Sequence, residues 1–339
     1  MPTAAIKRFV FDWFAIPLIP TTVIEKTLTI KRKEEDIVIT LTHSGYIKRI
    51  PLTSYKQQKR GGVGIVGAEV KEEDIVQDLI VTSNLNYLLL FTNKGKIHWL
   101  KAYEAPEGSR YSKGKAIVNI LKLENNEKIS AILPVSKFDD QHFIVMATAK
   151  GTIKKTMLSE FSNPRKGGIL AINLGENDEL VQVKLTDGNS NLIIATKNGI
   201  AVRFNEKDVR VMGRNAAGVR GIKLELNDEV IGMENANDGT LLTTTENGYG
   251  KRTEINEYRL INRGGKGVIN MNITEKTGKV TGIMNVYDGD EVLLISEKGV
   301  AIRVLAKDIS LIGRNTQGVR VMKLKESDKL TSVAKVVKD

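Results

Sequence analysis

Short apolar runs, each ended by a turn, recur along nearly the whole chain, and no stretch keeps the spacing of an amphipathic helix. In the first such region Asp36 to Thr42 (DIVITLT) alternates apolar with polar, and a turn falls at His43-Ser44-Gly45. Tyr46 to Leu52 is a second run and Val63 to Val70 a third. Lys71 to Asp74 is an acidic turn, and Ile75 to Thr82 is a fourth run. Period-two runs bounded by turn residues are strand patterns, so the region predicts four short strands.

The pattern then repeats. A glycine after an apolar run stands at Gly45, Gly95, Gly151, Gly199, Gly248 and Gly299. A second glycine, at Gly64, Gly114, Gly168, Gly218, Gly267 and Gly318, follows it by 19 residues in five cases and by 17 in the third. Six units of about fifty residues with four strands each point to radial repetition, which protects sheet edges by setting blades side by side. The expected fold is all-β, a six-bladed β-pinwheel, with repeats near 36–83, 84–134, 142–186, 191–235, 239–287 and 291–337. Residues 31–339 form this expected disc, and 1–30 a leader or packing segment; the aromatic cluster Phe9, Phe11, Trp13 and Phe14 loosely mimics a signal peptide, but Asp12 interrupts it.

Two positions within the repeat differ in character. Two residues after the first glycine stand Ile47, Ile97, Ile153, Ala201, Gly250 and Ala301, uncharged throughout and expected between blades. Four residues after it stand Arg49, Trp99, Lys155, Arg203, Arg252 and Arg303. An unpaired buried charge is costly, so these cations are expected to face solvent or a partner. Carboxylates fall on a different turn, at Glu72, Glu124, Glu176, Glu225, Glu275 and Glu326.

Before each second glycine lies a basic, glycine-containing loop. The six begin at Gln58 (QKRGGVG), Gly108 (GSRYSKG), Asn163 (NPRKGG), Gly213 (GRNAAGVR), Asn262 (NRGGKG) and Gly313 (GRNTQGVR). Glycine lets backbone N–H groups approach a partner closely, so such loops can lay amides and cations on a polyanion. The candidate DNA-binding residues are Gln58, Lys59, Arg60, Gly61, Gly62 and Gly64 in the first loop and Arg110, Lys113, Arg165, Lys166, Arg214, Arg220, Arg263, Lys266, Arg314 and Arg320 in the others. Lys48, Arg49, Lys154, Lys155, Arg203, Lys251, Arg252 and Arg303 join them from the strands. Six loops around a disc would make a curved cationic track for sequence-tolerant wrapping of duplex DNA, read through phosphates rather than base edges. If each loop engages one or two phosphates, the salt slope of log K should be roughly −5 to −11. Bending a 20–30 bp site costs on the order of 1–6 kcal/mol, which ionic contacts must offset.

Composition agrees with this. The 339 residues carry 51 Lys and Arg against 40 Asp and Glu, a net charge of +11. There is no cysteine, which excludes disulfides and thiolate zinc sites and fits reducing cytoplasm, with association to the nucleoid. No apolar run is long enough to span a membrane. His43, His98 and His142 form no metal-binding pair, and no nucleophile elbow or phosphate-binding P-loop motif is present, so neither a cofactor, a metal site nor independent catalysis is expected. The rival reading is a propeller scaffold for proteins, but the aromatic content of 5% is low for such a platform.

The loop Gln58-Lys59-Arg60-Gly61-Gly62-Val63-Gly64 resembles the signature box of the C-terminal domain of gyrase A, from DNA gyrase. Gly45-Tyr46-Ile47-Lys48-Arg49, Tyr55 ahead of the box, and Met212-Gly213-Arg214 through Gly218-Val219-Arg220-Gly221 resemble that family too. The resemblance covers residues 36–334. It implies a pinwheel that wraps DNA on its rim and supports negative supercoiling by a type II topoisomerase, without the catalytic tyrosine domain. It further implies two partners, the breakage-reunion part of gyrase A and the ATPase component gyrase B, with the isolated domain monomeric. The equivalent domain of topoisomerase IV is the related alternative. Val63 stands where the family box has lysine, while Lys266 keeps a cation in the fifth loop.

Overall fold

The computed structural model describes residues 33–339 apart from 43, 53–75, 110, 111, 299 and 337–339. The described chain is made of short strands and single 3-10 turns arranged as six antiparallel sheets in sequence order. Blade one contains β1 (Asp36–Thr42), β2 (Tyr46–Pro51) and β3 (Val76–Ser83). Blade two contains β4 (Tyr87–Thr92), β5 (Lys96–Lys101) and β7 (Ile129–Val135), and blade three β8 (Phe143–Thr148), β9 (Thr152–Met157) and β11 (Leu180–Thr186). Blade four has β12 (Asn191–Thr196), β13 (Ile200–Asn205) and β15 (Val230–Asn235), and blade five β16 (Thr240–Thr245), β17 (Tyr249–Glu254) and β19 (Val280–Val286). Blade six has β20 (Glu291–Ser296), β21 (Ala301–Leu305) and β23 (Leu330–Val336).

The fourth strand of a blade comes from the next repeat. The two-residue strands β6 (Lys115–Ala116), β10 (Ile169–Leu170), β14 (Val219–Arg220), β18 (Val268–Ile269) and β22 (Val319–Arg320) pair with β2, β5, β9, β13 and β17, respectively. The sequence pattern places this run within its own blade as a full strand; in these five repeats it is instead a short strap crossing to the preceding one. Its counterpart in the first repeat, Val63 to Val70, lies outside the described residues. The opposite edge strands, β3, β7, β11, β15, β19 and β23, stand next to one another in that order, and β23 lies beside β3. The disc therefore closes.

Glycine makes the straps possible. Gly199 ends the turn between β12 and β13 at φ +82°, and a Cβ there would stand 2.3 Å from the carbonyl oxygen of Met271, whose N–H donates to Gly199 O. Gly267 ends the fifth loop at φ +82°, where a Cβ would stand 2.5 Å from Ala201 O of the preceding blade. The second glycine of the repeat thus serves contact between repeats.

Each blade is buried on both faces, which explains runs such as YLLLFT and NLIIAT. Leu88 and Leu90 pack with Ile37, Ile39 and Leu41 of blade one, whereas Leu89 and Phe91 pack with Ile144 and Met146 of blade three. Even the alternating run DIVITLT is buried from Ile37 to Thr42. Ile47, Ile97, Ile153, Ala201 and Gly250 are buried as expected from their position, but Ala301 of blade six is exposed.

Candidate nucleic-acid interface

The cations four residues after the first glycine do not form the exposed rim that the pattern suggests. Arg49 Nε donates to Ala105 O at 2.8 Å, and Lys155 Nζ to Glu206 O at 2.7 Å. Arg203 Nη1 donates to Ile255 O and Tyr258 O, both at 3.3 Å, and Arg252 Nε to Ile309 O at 3.0 Å. Each of these acceptors lies in or just after the 3-10 turn of the following repeat, and Arg203 Nε also donates to Ala236 O at 3.0 Å. Lys155 and Arg252 are buried, and burial pulls Lys155 and Arg203 below their ordinary ranges. A buried charge is tolerable once carbonyls and a carboxylate satisfy it. Glu206 Oε2 stands 3.8 Å from Lys155 Nζ, and Asp288 Oδ1 2.5 Å from Arg252 Nη1. Of this set Arg303 alone is exposed, and it pairs with Glu291 of its own blade. Arg49, Lys155, Arg203 and Arg252 tie blades together and present little charge to a ligand.

Lys48, Lys154 and Lys251 also turn inward. Lys154 and Lys251 are fully buried, and desolvation pushes both down to about 8. Blade two has His98 at the equivalent place, buried with Nε2 3.7 Å from Glu127 Oε1. Burial holds its imidazole below the ordinary value although Glu127 opposes that.

The remaining candidates lie on the loops and the outer strands. Lys113, Arg165, Lys166, Arg220, Lys266 and Arg320 are exposed; Arg214, Arg263 and Arg314 are half-buried. Arg263 spends Nε on Asp208 O and Nη1 on Arg220 O, and Arg314 Nη1 donates to Ile269 O, so neighbouring loops are joined through arginine. Arg320 Nη2 reaches Tyr249 Oη at 3.1 Å and pulls that phenol below its usual range. Gln58, Lys59, Arg60, Gly61, Gly62, Gly64 and Arg110 lie outside the described residues.

Exposed lysines that the loop pattern passes over extend this surface. Lys150, Arg220 and Lys223 line a groove of about 730 Å³ between the turn after β8 and the fourth loop. Lys223, Lys266 and Arg314 line the next, of about 350 Å³, together with Glu225 and Asp228. Lys223 belongs to both, so cations of the fourth, fifth and sixth repeats line adjoining grooves. The signal was available: Leu121-Lys122-Leu123, Ile222-Lys223-Leu224 and Met322-Lys323-Leu324 repeat at one place. Cations that line adjoining grooves can neutralise successive phosphates. Among the described residues, no group of three or more acidic or histidine side chains could hold a metal, and no helix is long and apolar enough to cross a membrane.

Comparison with known proteins agrees with the six-bladed fold. Residues 36–83, 86–136, 142–187, 190–237, 239–286 and 290–336 each match the family described as DNA gyrase C-terminal domain, beta-propeller. The chain is 49% identical over 308 residues to the gyrase A protein of Clostridium acetobutylicum, a match covering 91% of this chain and 37% of that protein. It is 45% identical over 304 residues to the gyrase A protein of Salmonella typhimurium, a match covering 89% of this chain and 35% of that protein. The chain thus spans little more than a third of the length of these curated relatives. A solved DNA gyrase A C-terminal domain superposes with a TM-score of 0.74 at 29% identity, covering 89% of this chain and all of that one. A C-terminal domain of DNA topoisomerase IV superposes with a TM-score of 0.74 at 28% identity, covering 90% and 94%. The chain belongs to the DNA gyrase C-terminal domain, beta-propeller family.

Proposed function

We propose that this chain binds duplex DNA without base readout and wraps it around the disc, supporting negative supercoiling by a gyrase-type topoisomerase. The observation that carries this reading is the set of exposed cations on the strands and loops of successive repeats, Arg220 and Lys223 in the fourth, Lys266 in the fifth and Arg320 in the sixth. Phosphate contacts made by strand and loop cations position a duplex but carry no sequence information. Among the described residues there are only strands and 3-10 turns, hence no recognition helix for a major groove. A closed disc offers a convex edge, and a duplex that follows it must bend, a cost that counterion release offsets at low salt. The first loop, with Lys59 and Arg60, is assigned to the same track by its place in the repeat. The breakage-reunion part of gyrase A and the ATPase component gyrase B are the partners this role requires.

The test is ligation of a nicked circular plasmid in the presence of increasing protein, followed by protein removal and measurement of linking number. A shift that grows with protein supports wrapping of fixed hand. Salt-sensitive binding with no shift would leave a basic module that holds DNA without a chiral wrap, and no binding would favour a protein-interaction scaffold.

A further inference from the structure

The rim loops of repeats two to six fall into two alternating sets. Because every described outer strand crosses to the preceding blade, the loops of repeats two, four and six seat on blades one, three and five. In those three blades the residue three after the first glycine is Lys48, Lys154 and Lys251. Lys48 Nζ donates to Ser109 O at 3.1 Å and Ser112 O at 2.6 Å. Lys154 Nζ donates to Arg214 O and, at 2.6 Å, to Ala171 O. Lys251 Nζ donates to Gly313 O at 2.7 Å and Arg314 O at 2.5 Å. Ser109, Arg214 and Arg314 each directly follow the first glycine of their loop, so the same carbonyl is held in all three.

The other three blades place His98, Val202 and Ile302 at this position. His98 and Val202 lie directly against Gly168 and Gly267, the glycines that end the third and fifth loops. An imidazole and an isopropyl group thus stand in those two blades at the sequence position that supplies an ammonium to the even-repeat loops.

Charge alternates in step with the anchoring. The outer strand carries Lys115, Arg220 or Arg320 in repeats two, four and six, against Ile169-Leu170 and Val268-Ile269 in repeats three and five. Lys122, Lys223 and Lys323, all exposed, stand two residues before the following turn in the even repeats, where repeats three and five have Asn173 and Asn272. Neither alternation follows from the fold, since the first five blades share one four-stranded topology.

We infer that Lys48, Lys154 and Lys251 are positioning residues that clamp the loops of repeats two, four and six, so that DNA is gripped at every second blade. This rests on the wrapping reading. A glycine-rich loop must otherwise lose conformational freedom when its arginine meets a phosphate, and a loop already fixed avoids that loss. The clamp is charged at neutral pH. Arg214 lowers and Glu160 raises the affinity of Lys154 for its proton; Glu257 raises and Arg314 lowers that of Lys251. Once neutral, each amine keeps N–H donors but loses the charge assistance of its bonds.

The experiment is binding of a linear duplex to the full chain and to Lys154→Met/Lys251→Met, over a salt series and from pH 7 to 9.5, with thermal melting of both proteins. The variant should fold, show a salt slope shallower by about two, at about 0.9 per lost phosphate contact, and lack a several-fold loss of affinity through pH 8 that the parent protein shows. A folded variant with the parent's slope and pH profile would overturn the clamp. If the variant does not fold, the parent protein decides alone, since affinity unchanged to pH 9 overturns it too. Salt-insensitive or absent binding by the parent would instead remove the wrapping reading itself.

Discussion

The indole Nε1 of Trp99 donates to the carbonyl oxygen of Phe161 at 2.9 Å. Four of the other five repeats put Arg49, Lys155, Arg203 or Arg252 at this place, and each donates to the 3-10 turn of the next repeat. What the position requires is an N–H donor long enough to reach across to the next repeat. Positive charge is incidental to it, which is why a tryptophan can stand among cations.

Trp99→Phe should therefore destabilise the disc by about 1–3 kcal/mol, the usual cost of leaving a buried carbonyl unpaired, with the salt slope of DNA binding unchanged. Chemical denaturation alongside a salt titration checks both. Trp99→Arg keeps a donor and should recover part of the loss.

Arg252→Met and Arg320→Ala should separate structure from binding. Arg252 is buried and holds Ile309 O and Asp288, so its loss should lower stability by about 1–3 kcal/mol. Arg320 is exposed on the outer strand β22, and its removal should change stability by no more than about 0.5 kcal/mol. It should reduce the salt slope by about one. The reverse pattern would return the Arg252 position to the binding surface.

Gly199→Ala should cost more than an ordinary glycine substitution. The new Cβ meets Met271 O at 2.3 Å, and φ is +82°. Backbone strain of this kind costs on the order of 1–3 kcal/mol, and the carbonyl cannot retreat without pulling the strap between repeats. A melting temperature equal to that of the parent would refute the requirement.

The buried lysines give stability a pH dependence opposite to that of binding. Lys154 and Lys251 bind their protons less tightly when folded, at about 8, than when unfolded, at about 10.5. The unfolded chain therefore holds more protons between these values, and stability contributed by these groups rises with pH from about 8 to 10.5. Urea unfolding across that range should show the rise in the parent protein and its absence in Lys154→Met/Lys251→Met, while DNA affinity in the parent falls.

Lys59→Ala/Arg60→Ala should reduce the linking-number shift more than Arg214→Ala/Arg314→Ala does, because the first loop sets two adjacent cations against three glycines. Val63→Lys should increase it. Equal effects in the plasmid ligation assay would mean that no loop is privileged in setting the hand of the wrap.

The sequence alone determined the blade count, the turn glycines and the presence of a basic loop in every repeat, because each is local and recurs in register. Positive φ at Gly45, Gly95, Gly151, Gly199 and Gly248 is imposed by a turn of a few residues, so the pattern records it directly. Tertiary structure decided which cations face outward. Lys155 and Arg220 look alike in sequence, yet one is buried among carbonyls of the next repeat and the other is exposed on an outer strand. The acceptors of Lys155 and Lys251 lie 51 and 62 residues away, in the following repeat, and no local pattern reports such a partner. Burial of a charge depends on those distant carbonyls, so the same residue types serve as clamp, strap or binding surface according to where the fold puts them.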